Sequence, residues 1–160
     1  MPTKKQEMQA LIRMYREKTG KQSVDMHDVA NFAVSKGWPL PKPKNPLDRL
    51  AEQFSLAARE EIRKDPETGR PYRANLAVTT WQGKEQLTLW TDIDEAPRPI
   101  ALKSFVQRRE QMVGDAVQLT FDVMHWNSVN SSDEPITMPM DFTDDVTWRM
   151  NTPSEGGEAA

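Results

Sequence analysis

Apolar residues recur at helical spacing early in the chain. Met8, Leu11, Ile12 and Tyr15 fall on one face and Gly20 follows as a stop, which predicts a first helix over residues 5–18. A second, short helix is expected to begin near Ser23 or Asp25, to carry Val29, Ala30, Ala33 and Val34 on one side and to stop at Gly37. Prolines at 39, 41, 43 and 46 then remove donors and hold the backbone extended, so residues 38–45 read as a stiff connector. Asn45 is a natural cap for a third helix with Pro46 at its first position, where a missing N–H costs nothing. Leu47, Leu50, Ala51, Phe54, Ala58 and Ile62 continue as a stripe that predicts this helix to about residue 64.

Residues 65–71 are turn chemistry throughout, with two prolines to fix φ and Gly69 to supply a positive one. Two strand-like runs, 72–80 and 86–91, flank Gln82-Gly83-Lys84-Glu85 and read as a β-hairpin. Beyond Pro97 and Pro99 no further proline occurs up to residue 126, and residues 99–126 predict one long helix whose apolar stripe is interrupted by Arg108, Arg109 and Glu110. Half of it is expected to pack on the front of the protein and half on another subunit. Near the end, Ile136, Met138, Met140, Phe142, Val146, Trp148 and Met150 all occupy even positions, the period of a strand. This segment is expected to lie on the body as a strand or to dock a partner in extended form, with Met138, Met140, Phe142 and Trp148 as partner-binding residues. Residues from Ser154 onward are expected to be disordered.

Composition narrows the chemistry. The 160 residues contain no cysteine, which excludes disulfides, thiolate metal sites and cysteine nucleophiles. A mean hydropathy of -0.74 suits a modest core, and no apolar run approaches a membrane span, so a cytoplasmic location is expected. The net charge of -3 hides an asymmetry: residues 1–73 hold 15 Lys and Arg against 10 Asp and Glu, and residues 74–160 hold 6 against 14. A basic front half suits phosphates, and an acidic rear half suits a basic partner or keeps nucleic acid away from that side.

Motifs for catalysis are missing from the sequence. There is no phosphate-binding glycine loop, no GxSxG elbow and no GxGxxG turn, and His27 and His125 stand alone rather than in a ligand-spaced pair. The acidic clusters Glu60-Glu61, Asp92 with Asp94 and Glu95, and Asp144-Asp145 place adjacent carboxylates in different directions. Neither enzyme activity, nor a metal, nor a cofactor is therefore expected. Trp81 and Trp90 on the hairpin could stack on bases, although tryptophans more often anchor cores and interfaces.

The order helix, helix, helix, hairpin resembles the winged helix-turn-helix superfamily, on element order and on the apolar spacing of Val29, Ala30, Ala33, Val34, Leu47, Leu50, Ala51 and Phe54. The resemblance, over about residues 5–92, implies an α+β fold with a three-helix winged-helix-like domain and a β-hairpin over residues 1–96; the residues that follow are expected to add a long helix over 97–127, a candidate dimerisation element, and an acidic extended tail over 128–160. The resemblance further implies a DNA-binding regulator or accessory factor. Lys42, Lys44, Asn45, Arg49 and Gln53 would face double-stranded DNA, and Arg70, Arg73 and Lys84 in the wing would reach phosphates. The competing expectation is a winged-helix-like adaptor that binds a protein through its C-terminal half.

Overall fold

The computed structural model describes residues 1–152 and is mixed helix and sheet. The expected disorder from Ser154 onward lies outside the described residues. The order of elements is α1 (Lys4–Thr19), α2 (Met26–Ser35), α3 (Pro46–Glu60), β1 (Ile62–Lys64), β2 (Pro71–Arg73), β3 (Asn75–Gln82), β4 (Glu85–Asp92), α4 (Arg98–Val129) and α5 (Thr143–Asn151). The chain divides into two compact units, Met1–Glu52 and Gln53–Ala160.

In the first unit, α1 is closed at its start by a reciprocal cap. Thr3 Oγ1 accepts from the Gln6 backbone N–H and the Gln6 side chain accepts from the Thr3 backbone N–H. Gly20 ends the helix at φ 69°, a left-handed conformation that a side chain would oppose. Asp25 caps α2 by accepting from the His27 backbone N–H at 2.7 Å. α1 and α2 pack through Tyr15 and Phe32, whose ring centroids lie 5.4 Å apart, and the core here is small: Val29, Phe32 and Ala33. Asn45 Oδ1 accepts from the Leu47 backbone N–H, so the expected cap of α3 forms.

The second unit is built on two antiparallel hairpins. β1 pairs with β2 around a turn in which Asp65 Oδ1 accepts from the backbone N–H of Glu67 and Thr68. β3 pairs with β4 from Asn75↔Asp92 to Gln82↔Glu85, closed by a two-residue turn in which Gly83 takes φ 62°. Fully buried Ala74 separates the hairpins: its N–H donates to the Glu61 carbonyl, and its own carbonyl accepts from the Ile93 N–H. Ala74, Leu76 and Val78 alternate inward to form the core, with buried Ser104 of α4 beside them.

α4 lies on the free edge of β3. The Gln107 side-chain amide accepts from the Thr79 N–H and donates to the Thr79 carbonyl, both at 2.9 Å, and Ser104 Oγ donates to the Ala77 carbonyl. Side chains of a helix thus take the place of a neighbouring strand and satisfy an edge that would otherwise be open.

Three expectations are corrected. The third helix ends at Glu60 rather than near residue 64, because Ile62–Lys64 are drawn into pairing with Pro71–Arg73. The run 72–80 is accordingly two strands with a break at Ala74. The C-terminal alternation does not form a strand: residues 143–151 are helical. Asp141 Oδ1, just outside the helix, accepts from the Thr143 N–H, Asp144 and Asp145 occupy the first turn and Arg149 the last, so this local hydrogen bond and the helix dipole override the period of two. Before α5 the chain is irregular and is held by Asn127, whose side chain makes two hydrogen bonds to the Ile136 backbone. Among the described residues, no helix is long and apolar enough to cross a membrane.

Candidate functional site

The second unit contains a cleft of about 490 Å³ between the sheet edge and the front half of α4. Its polar lining is cationic. Arg59 comes from the last turn of α3, Arg73 from the end of β2 and Arg108 from α4, with Trp90 of β4 and Phe105 of α4 as apolar walls. The Gln107 clamp fixes the helix against the strand, and that attachment sets where Arg108, the next residue, emerges.

None of these three guanidinium groups forms a salt bridge among the described residues. Arg59 lies over the Trp90 ring at 5.8 Å, a cation–π arrangement that orients it without neutralising it. Burial, and then the nearby Arg73 charge, lower the proton affinity of Arg108 below its usual value. The three side chains remain accessible to solvent. Cations gathered without a counter-charge carry an electrostatic cost that an anion relieves.

Arg63 behaves differently. It grips Asp92 with two parallel hydrogen bonds of 2.9 Å, reaches Asp94 at 2.9 Å and approaches Glu61 at 3.4 Å. Those carboxylates raise its proton affinity above the ordinary value. Arg63 in turn, with the Asp94 N–H, holds the Asp92 carboxyl below the usual carboxylate range. Asp92 at the end of β4 and Asp94 just beyond it are thereby engaged by Arg63 rather than by the cleft arginines.

The residues predicted to contact DNA have varied placements. Arg73 lines the cleft, and Lys84 sits in the β3–β4 turn with no salt bridge among the described residues. Eight residues of β3 separate these ends of the hairpin, about 26 Å at 3.3 Å per residue, so the two do not converge. Arg70 donates from Nη1 to the Met150 carbonyl at 2.9 Å. In the region before α3 and in α3 itself, Lys44 pairs with Glu52, Asn45 is spent on capping, and Lys42, Arg49 and Gln53 are exposed. Of the predicted partner-binding residues, all four are exposed, and Met140 and Phe142 also line an apolar groove with α4.

Arg59 and Arg108 were not among the sequence candidates. Arg108 did leave a signal, as part of a charged interruption in an apolar helical stripe. Arg59 left none, because a single arginine on an exposed helix face is ordinary. Among the described residues, no group of three or more His, Asp or Glu side chains is placed to hold a metal ion. No family model matches the chain, and no curated protein or solved structure matches it.

Proposed function

We propose that this is a non-enzymatic DNA-binding protein of winged-helix type that grips the phosphate backbone through the cleft of Arg59, Arg73 and Arg108. The observation that carries the reading is the charge of that cleft: three arginines from three elements, none in a salt bridge among the described residues, with Asp92 and Asp94 already engaged by Arg63. A guanidinium suits this task because its planar donors match phosphate oxygens in pairs. The exposure of the arginines to solvent favours a polymer passing along the cleft over a small anion enclosed by it. The β3–β4 hairpin corresponds to the wing of the resemblance, and Lys84 supplies a further phosphate interaction at its tip. In the same reading, Lys42, Arg49 and Gln53 reach phosphates and base edges. The protein acts by occupying DNA, as a regulator or accessory factor.

The test is duplex affinity measured against salt for the wild type and an Arg73→Ala, Arg108→Ala double variant. Each phosphate that the protein no longer neutralises makes the slope of log affinity on log salt shallower by about 0.9, so a reduction of about 2 is expected. An unchanged slope in a variant with wild-type far-ultraviolet dichroism refutes the cleft as the DNA site.

A further inference from the structure

The rear half of α4, residues 111–129, is apolar around most of its circumference. At about 100° per residue, Gln111, Asp115, Gln118, Asp122 and His125 fall on one narrow strip. Large apolar side chains, among them Met112, Val113, Val117, Phe121, Met124 and Trp126, occupy the other sides. A helix of this kind is normally covered on more than one side. Here the segment bearing Met140 and Phe142 covers one side, and Phe121 and Met124 are still 60% and 61% exposed.

Two quantities identify what covers the rest. The exposed apolar side chains between Met112 and Met150 present on the order of 1,000 Å² per chain. A monomer rarely leaves more than about 600 Å² in one patch, and each partner in a stable dimer contributes about 800 Å². The second is charge. Residues 98–110 carry Arg98, Lys103, Arg108 and Arg109 against Glu110, whereas 111–129 carry only Asp115 and Asp122, followed by Asp133, Glu134, Asp141, Asp144 and Asp145 against Arg149. The helix is positive at its front and acidic at and beyond its rear, so an antiparallel copy matches it and a parallel copy repels it.

The structure assigns this surface to a second copy of the chain: we propose that α4 pairs antiparallel with α4 of the partner, crossing near residue 120, the middle of the apolar stretch. A two-fold axis there makes the interface self-complementary, and the narrow polar strip faces water.

Sedimentation equilibrium of the full chain at micromolar concentration is expected to give twice the chain mass of 18.3 kDa. Val117→Asp, remote from the Gln107 clamp, is expected to weaken the dimer at least about thirtyfold while keeping the helical dichroism. Because the chain has no cysteine, single substitutions report the geometry directly. Thr120→Cys is expected to form a disulfide between copies, whereas Met112→Cys, eight residues from the crossing point, is not expected to cross-link with itself. A full chain that stays monomeric overturns the proposal and leaves the face to a different protein. Cross-linking of Met112→Cys with itself as readily as Thr120→Cys overturns the antiparallel arrangement.

Discussion

Arg63 and Arg108 are the same residue type in opposite electrostatic surroundings, and the difference follows from what the chain places beside them. Arg63 projects from β1 toward the end of β4, where Asp92 and Asp94 meet it with fork geometry, and the Tyr72 hydroxyl adds a hydrogen bond to Asp94 at 3.0 Å. Arg108 projects from α4 into a cleft already holding Arg73, with no acid beside it among the described residues. The first arrangement pairs each charge with its opposite and the second leaves its cations without a salt bridge. Asp92 gives the structural half a test with a definite sign. Its folded pKa lies below the unfolded value of about 3.9, so its stabilising contribution is complete above that value and is lost as pH falls through the folded pKa. Asp92→Asn is therefore expected to melt at a lower temperature than the wild type at neutral pH, with the gap closing as the solution is taken below about pH 4. A gap that stays constant across that range in thermal melts eliminates the ion pair as its cause.

Between α4 and β3 the junction is made by side chains that imitate a strand, and its strength is open to measurement. Gln107 is half-buried and makes two hydrogen bonds to one backbone unit, so Gln107→Ala is expected to cost roughly 1–3 kcal/mol in urea unfolding and to speed amide exchange at Thr79. Gln107→Glu retains the acceptor but sets a carboxylate against the Thr79 carbonyl, and is expected to cost at least as much. Equal stability of all three proteins removes the clamp from the account of the fold. Elements governed by local chemistry were legible in the sequence: Gly20 as a stop, Ser23 or Asp25 as the start of α2, Asn45 as a cap, and Gly83 in the hairpin connection, which pairing of Gln82 with Glu85 shortens to two residues. What was not legible depends on distant partners. Ile62 continues the helical stripe of α3 and leaves it only because β2 competes for it, nine or more residues away. The even-numbered apolar residues near the C-terminus describe a strand on paper, yet Val146, Trp148 and Met150 lie in a helix whose first N–H donates to Asp141 and whose first turn holds two acids, and the residues before Thr143 are irregular. The cleft was half legible: Arg73 was visible as a wing cation, but Arg59 and Arg108 join it only once α4 is clamped to the sheet edge.

At the scale of the molecule, the cleft and the antiparallel pairing together fix a distance that DNA itself can measure. Arg108 lies about twelve residues from the crossing point near residue 120, roughly 18 Å at 1.5 Å per residue, so antiparallel pairing separates the two Arg108 side chains by roughly 36 Å along the helices. One turn of B-form DNA is about 34–36 Å, which lets both clefts meet phosphates on the same face of one duplex. On the proposed DNA-binding reading, the acidic residues that follow α4 repel DNA from the pairing region and leave it to the arginines. Duplex length becomes the readout. A duplex of about 20 base pairs can engage two clefts, whereas one of about 8 cannot, and the second engagement benefits from a high effective concentration. The wild type is expected to gain at least about tenfold in affinity between these lengths beyond the statistical increase in sites. Val117→Asp, with its clefts intact but unpaired, is expected to show the statistical increase alone. Anisotropy titrations with the two duplexes decide the matter: an equal gain in both proteins means that each cleft acts singly, and weak binding to both lengths in both proteins returns the fault to the cleft rather than to the pairing.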